Sequence, residues 1–204
     1  MRNLMLSIIL CSCIHANAQD TTFMKVNTGT TDKQLADILK FEGIEEYDVE
    51  ISNHKLKGKP VLISYEEYMD GEMVKEKTLS ELPEGWPASS LNAASDTVRF
   101  KLLSQEKDNV AKVNFKYSGF SFQELFETPH HTGAYSMREI FGDEEKNAKH
   151  VGNKEKKALF VYTLPFEGDH NKYYCTATST DVPVTQWWDK YHVKHYIIFY
   201  VQVG

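Results

Sequence analysis

The stretch VRFKLLSQEKDNVAKVNFKY, residues 98–117, decides the fold class of this chain. Val98, Phe100 and Leu102 alternate with polar residues in its first half. Apolar residues alternate with Lys and Asn in its second half, after a polar turn at 106–109. A period of two residues places alternate side chains on opposite faces of a strand. The stretch therefore predicts an antiparallel hairpin that packs on a core with one face and meets water with the other.

Further strands are predicted on both sides of this hairpin. Residues 59–68 and 72–79 form another hairpin around Asp70-Gly71, because a two-residue turn needs positive φ angles that Asp and Gly tolerate. The C-terminal stretch HYIIFYV, residues 195–201, is apolar on both faces, which is typical of a central strand covered on both sides. Strands are also expected at 44–51, 158–164, 172–179 and 190–203, with a short strand or a helical turn at 118–126 and a brief helix at 136–141.

One clear helix is predicted near the amino end. Residues 31–34 have the pattern of a capping box, apolar residues follow at helical spacing, and Gly43 supplies a stop, so the helix is expected over 32–42. About eight strands and one short N-terminal helix favour a mainly β fold, an antiparallel β-sandwich. The alternatives are an α+β fold, with the helix across a curved antiparallel sheet, and a closed barrel.

The first 18 residues have the pattern of a cleaved secretory signal. Arg2 supplies the positive charge, residues 4–14 form the apolar core, and Ala16-Asn17-Ala18 fits a signal peptidase site. The apolar run is shorter than the roughly 20 residues that span a membrane. We therefore expect residues 1–18 to be a signal peptide and residues 19–204 to be a single β-rich domain, periplasmic or secreted, with no transmembrane segment.

A second processing route is open. Leu10-Cys11-Ser12-Cys13 resembles a bacterial lipobox, in which Cys13 would carry a lipid and anchor the protein to a membrane. Cleavage after Ala18 would instead leave Cys175 as the one remaining cysteine, so that no intramolecular disulfide could form. A buried structural thiol is the expectation for Cys175.

The charge of the chain argues against two classes of partner. It has 23 Lys and Arg against 29 Asp and Glu, a formal charge of −6. Nucleic acids require clustered positive charge, and the one dense basic run, at 154–157, is interrupted by Glu155. Nucleic acids and anionic membrane surfaces are therefore poor partners.

The sequence contains no catalytic or cofactor motif. It has no His-Glu-x-x-His, no paired Cys-x-x-Cys, no Gly-x-Ser-x-Gly elbow and no glycine-rich phosphate loop, so we expect no cofactor. His130 and His131 are weak candidates for a metal site, because they lie in a loop flanked by Pro and Gly. The acidic groups at Glu45-Glu46, Glu66-Glu67 and 143–145 are interpreted as solvated charge.

Aromatic residues give the one hint of a binding surface. Trp86, Trp187, Trp188 and Tyr191 could form a platform for a sugar ring or an apolar ligand. Adjacent tryptophans on an extended segment face opposite sides, so at most one of Trp187 and Trp188 is expected to be exposed. Packing in the core is the alternative role for these residues.

Three features resemble a family. The signal ending Ala-Asn-Ala-Gln, the segment DKQLADILKFEGI at 32–44 and the aromatic C-terminal strand are similar to an uncharacterised family of small exported β-rich proteins of gut-dwelling Gram-negative bacteria. The resemblance implies an envelope location and no known activity, and it brings no functional residues to this chain.

These observations lead to a functional hypothesis. The chain is expected to be a non-enzymatic envelope or secreted domain that binds a protein or a glycan through loops and exposed aromatic residues. The alternative is a hydrolase whose site assembles from dispersed residues, with His130, His131 and nearby carboxylates as its members.

Overall fold

The computed structural model describes residues 22–82, 84–130, 134–140, 148–149, 156–167, 172–173 and 182–204. Its strands are β1 Thr22–Thr28, β2 Ile44–Ser52, β3 Val61–Met69, β4 Glu72–Thr78, β5 Thr97–Lys107, β6 Val110–Tyr117, β7 Phe120–Glu127, β8 Ser136–Glu139, β9 Ala148–Lys149, β10 Lys156–Thr163, β11 Phe166–Glu167, β12 Lys172–Tyr173 and β13 His195–Val203. Its α-helices are α1 Lys33–Phe41 and α2 Trp187–Tyr191, and short 3₁₀ turns cover Ala88–Leu91 and Val184–Gln186. The predicted signal segment and Cys175 lie outside the described residues.

The strands form two antiparallel sheets that enclose one core. The first sheet has the order β7-β6-β5-β2-β1-β9 and the second has the order β4-β3-β13-β10-β8. Aromatic contacts join the sheets, since the Phe115 and Phe199 ring centroids lie 5.4 Å apart and those of Tyr65 and Phe126 lie 4.8 Å apart. The predicted antiparallel β-sandwich with a short N-terminal helix is confirmed.

Both predicted hairpins are present, and their turns explain why they could be read from the sequence. Asp70 and Gly71 between β3 and β4 have φ angles of 49° and 86°. Asp108 and Asn109 between β5 and β6 have φ angles of 54° and 62°. Asp, Asn and Gly tolerate this left-handed backbone, and two such residues in succession match the twist of the flanking strands.

The C-terminal strand lies where its apolar pattern predicts. β13 sits between β3 and β10 in the second sheet, and residues 195–199 are all buried. Phe199 faces the first sheet, whereas Tyr196 on the opposite face contacts Tyr68 and Trp187. A strand covered on both faces in this way has no need of polar residues at alternate positions.

Helix α1 begins one residue later than the predicted capping box implies. Asp32 is the N-cap, and its Oδ1 accepts hydrogen bonds from the amides of Gln34 at 2.9 Å and Leu35 at 3.1 Å. Asp is as good an N-cap as Thr, and here it satisfies two free amides with one oxygen atom.

The structure corrects two further expectations. Residues 136–139 form strand β8 instead of a brief helix, because Met137 pairs with Tyr162 at the edge of the second sheet. Trp187 and Trp188 lie in helix α2 instead of an extended segment, so the last strand begins at His195. Strand β1 is an element that the sequence pattern did not predict.

The strand predicted at 172–179 lies mostly outside the described residues. Its first two residues are described, and they form β12.

In the described part of the chain, neither α-helix has the length or apolar character needed to cross a membrane.

Candidate functional site

A cavity of about 590 Å³ lies at the end of the sandwich where β2 begins and β5 ends. Helix α1 forms one wall, and the residues at the start of β8 form another. This volume is within the rough range of 300–1,000 Å³ that is typical of ligand sites. The charged residues that line it are Lys40, Glu45, Glu46, Glu106 and Arg138, and the tyrosines are Tyr47, Tyr135 and Tyr162. We refer to it as the end cavity.

Glu45 holds the two sheets together at this end. Its carboxylate accepts hydrogen bonds from Ser104 Oγ at 3.0 Å, Ser136 Oγ at 2.5 Å and the backbone amide of Met137 at 2.8 Å. Tyr47 adds a third link between the sheets, after those of Glu45 to Ser136 and Met137, by donating to the Met137 carbonyl at 2.9 Å. Three donors satisfy the Glu45 carboxylate, so its role is to fix β8 against β2 and to shape the cavity wall.

Glu46 has a buried carboxylate that uses one of its two oxygen atoms in an ion pair. The residue is 5% exposed, and its Oε1 pairs with the Lys101 ammonium. Its Oε2 is buried and has no hydrogen-bond partner among the described residues. Leaving a buried carboxylate oxygen without a donor costs about 1–3 kcal/mol or more, which is the kind of cost that functional sites carry.

Glu106 has the same property on the opposite face of the first sheet. One oxygen accepts from the Tyr135 backbone amide at 3.3 Å, and the other is buried without a hydrogen-bond partner in the described part of the chain. Both glutamates line the end cavity, together with the Arg138 guanidinium. Glu106 and Arg138 therefore bring an acceptor and a donor to the lining of the end cavity, whereas the Glu46 side chain projects from the other face of the sheet, beside Lys101.

The tyrosines form a buried, protonated floor. Tyr47 and Tyr135 are each 6% exposed and Tyr162 is 1% exposed. Burial, reinforced by the charge of Glu45, raises the pKa of the Tyr47 hydroxyl, and burial together with Glu106 raises the pKa of Tyr135. Both hydroxyls therefore remain neutral hydrogen-bond donors at physiological pH.

A hydrogen-bonded chain runs from this floor into the core. The Tyr135 hydroxyl lies 2.7 Å from His195 Nδ1, and His195 Nε2 lies 3.0 Å from Glu67 Oε1. The Glu67 carboxylate accepts from Nε2, and the Tyr135 hydroxyl and Nδ1 share the other hydrogen bond of the ring. His195 is 0% exposed, and both of its nitrogens are used in holding Tyr135 in place.

Trp86 is the one predicted aromatic residue with a largely free surface. It is 55% exposed and makes an edge contact with Phe120, at 5.2 Å between ring centroids. Phe120 begins β7, whereas the end cavity adjoins Gln105 and Glu106 near the opposite end of the first sheet. Trp86 and the cavity are therefore separate surfaces.

The other three predicted platform residues serve packing. Trp187 is 0% exposed and lies against Tyr196. Trp188 is half-buried, and a Cβ at Gly71 would lie 2.4 Å from its ring, so it packs tightly on the β3–β4 turn. Tyr191 contacts Phe166 at 5.3 Å. These side chains hold α2 on the second sheet and do not join Trp86 in one platform.

The histidine candidates are only partly described. His130 lies near the core, with its ring centroid 6.4 Å from that of His195, and His131 lies outside the described residues. Within the described ranges, no three His, Cys, Asp or Glu side chains form a group that could hold a metal ion.

No family model matches the chain, and neither a curated protein nor a solved structure does. The resemblance to an exported family of gut bacteria stays a prediction.

Sequence reasoning missed the end cavity because it interpreted Glu45-Glu46 as solvated charge. The register shows why that is wrong, since β2 is a central strand and both glutamates lie beside its end, under α1 and next to β8. Two adjacent carboxylates at the start of a strand were the available signal. The contacts of Glu45 depend on β8, which the sequence pattern did not predict as a strand.

Proposed function

We propose that this chain is a non-enzymatic binding domain that takes a sugar unit of a glycan in the end cavity. The observation that carries the proposal is the buried carboxylate oxygen of Glu106 that has no hydrogen-bond donor in the described part of the chain, in a cavity of about 590 Å³. A bound ligand with hydroxyl groups supplies the missing donor.

The chemistry of the lining favours a sugar over a purely cationic or anionic ligand. A hydroxyl group both donates and accepts, so it can give its proton to Glu106 while it accepts from the Arg138 guanidinium. The concave shape suits one or two sugar rings, whereas a folded protein partner needs a surface of about 800 Å² on each side. A glycan is therefore preferred to a protein as the ligand.

We prefer a binding role to a hydrolase because the buried polar side chains near the cavity form hydrogen bonds with other protein groups. Glu45 is satisfied by three donors, and Tyr135, His195 and Glu67 bond to one another in the interior. These groups are fixed by structural hydrogen bonds, whereas a catalytic acid or base must reach the bond that it breaks.

The test begins with the full chain on a printed array of oligosaccharides, followed by calorimetric titration of the oligosaccharide with the highest signal. Glu106→Gln replaces a carboxylate with an amide of the same shape. We expect it to weaken binding by about 10- to 100-fold, because a hydrogen bond to a charged group contributes about 1.5–3 kcal/mol.

Glu124→Gln is the matched control. Its carboxylate is mostly buried like that of Glu106, but it accepts from Tyr65, Lys75 and Lys77 and lies on β7, outside the lining of the cavity. Affinity should be unchanged in this variant and in Trp86→Ala. Absence of binding to any glycan, or equal losses in Glu106→Gln and Glu124→Gln, would overturn the proposal. Cleavage of the bound oligosaccharide, seen by mass spectrometry, would favour the hydrolase.

A further inference from the structure

Helix α1 is loosely attached to the sandwich. None of its nine residues is buried, although it is strongly amphipathic. It connects the antiparallel neighbours β1 and β2 and so extends beyond the end of the first sheet. An element with so few buried contacts opens at low free-energy cost while the core stays folded.

Two glycines in the left-handed region lie at the ends of this connection. Gly29 has φ +73° and Gly43 has φ +65°, and no atom lies within 4 Å of the place that a Cβ would occupy on either residue. Hinges are a few residues at the ends of elements that absorb large changes of φ and ψ. No side chain restricts φ at these two positions. The bonds that a movement would break are those from the Gly29 amide to the Glu46 carbonyl at 2.7 Å and from the Gly43 amide to the Lys40 carbonyl at 3.2 Å.

The apolar face of α1 points only partly at the cavity. Leu39 lines the cavity, together with Ala36 and Lys40. Leu35 is 42% exposed and Ile38 is 58% exposed. At about 100° per residue, Leu35 lies some 40° and Ile38 some 100° from Leu39 around the helix axis. A rotation of that size turns both side chains towards the cavity.

We infer that α1 is a lid, and that Leu35 and Ile38 are the residues that cover the bound sugar when it closes. This inference rests on the proposed function, because the lid needs a ligand to enclose. The tyrosine floor and Ile44 give the two apolar side chains a surface to pack on, and the two glycines permit the motion. In the described conformation the lid is open and its apolar face is exposed.

The motion is testable on the full chain with no glycan present. Relaxation-dispersion NMR detects a minor state of roughly 0.1–10% that exchanges in microseconds to milliseconds. We expect residues 33–41 and the cavity residues Ile44 and Tyr47 to share one exchange rate. The double variant Leu35→Ser, Ile38→Ser should abolish the shared process, because the closed state loses its contacts.

Lys33→Ser is the control. Lys33 is exposed and lies about 160° from Leu35 and about 140° from Ile38 around the axis, so it stays outside when the lid closes. This variant keeps both apolar side chains and should retain the exchange. Three results would overturn the inference, namely flat relaxation-dispersion profiles, exchange that is confined to α1, and an exchange rate that is unchanged in the double variant. So would a rate that rises with protein concentration, which would mean that a second copy covers the face. None of these outcomes depends on whether a glycan binds.

Discussion

Glu66 is held by three neighbours on the outer face of the second sheet. Its carboxylate accepts from Lys156 Nζ at 2.6 Å, from the Tyr200 hydroxyl at 2.6 Å and from the Tyr68 hydroxyl at 3.0 Å. Burial alone would raise the pKa of this carboxyl group, but the three hydrogen bonds outweigh it and hold the pKa below its ordinary value of 4.5. The charged form is therefore the one that the fold stabilises.

Acid should remove this stabilisation. A carboxyl group whose pKa is lowered by folding contributes stability above its unfolded pKa and loses that contribution as the pH falls through its folded pKa. Glu66→Gln should lower the free energy of unfolding by about 1–2 kcal/mol at pH 7 and by much less near pH 3. Urea titrations at the two pH values measure the difference.

The control for that experiment is Glu76→Gln. Glu76 binds the same lysine at 2.8 Å, but its side chain is 55% exposed, so its ion pair should contribute little. Equal losses in the two variants, or a Glu66→Gln loss that persists in acid, would contradict the prediction.

The candidate site was the part that residue-level reasoning predicted least well. The sequence pattern identified Trp86, Trp187 and Trp188, of which one is well exposed. It treated Glu45 and Glu46 as surface charge, whereas one links the sheets and the other is buried. The alternation of apolar and polar residues predicts that a segment is a strand. It does not predict whether the end of that strand is buried, because this depends on elements that are distant in the sequence and pack over it.

At the scale of elements, β13 joins the two sheets through the contacts of Phe199 with Phe115 and Phe126. Phe199 is 0% exposed, and its ring lies 5.4 Å from Phe115, 5.9 Å from Phe126 and 6.2 Å from Tyr65. Removal of residues 195–204 should therefore abolish cooperative unfolding, because β3 and β10 lose the strand between them.

Phe199→Ala gives a graded form of the same test. It should lower the free energy of unfolding by about 3–5 kcal/mol, the usual cost of removing a buried phenylalanine. Leu125→Ala, at a position that is 56% exposed on β7, should change it by less than about 0.5 kcal/mol. Chemical denaturation of the two variants measures both values, and comparable losses would contradict the assigned role of β13.

The elements that could be predicted share a local cause. Each hairpin has turn residues suited to positive φ, and α1 has a cap and a glycine stop, so nearby residues specify these structures. β8 was predicted as a helix because its four residues have no strand period, and only pairing with β10 makes them a strand. β1 was not predicted because Phe23 lies on the solvent face of the strand. An apolar residue on that face interrupts the alternation of polar and apolar residues that marks a strand.

At the scale of the whole molecule, the two ends of the sandwich differ. The end cavity, α1 and the links from Glu45 to β8 lie at one end, and Trp86 with Phe120 lies at the other. The lining of the end cavity includes the connection from β1 to β2, and β1 is the strand that follows the predicted export signal.

The route of export decides how far the end cavity lies from a membrane. Cleavage after Ala18 leaves three residues before β1 and frees the domain, whereas a lipid on Cys13 leaves nine residues, a tether of at most about 30 Å. We expect the first route, so the intact mass of protein purified from the envelope of its own cells should match a chain that begins at Gln19, without lipid. Cys13→Ser should leave that mass unchanged, and Ala18→Phe should block cleavage, because the peptidase requires a small residue there. A lipid-modified mass that disappears in Cys13→Ser would contradict this expectation and place the glycan site within reach of the membrane surface.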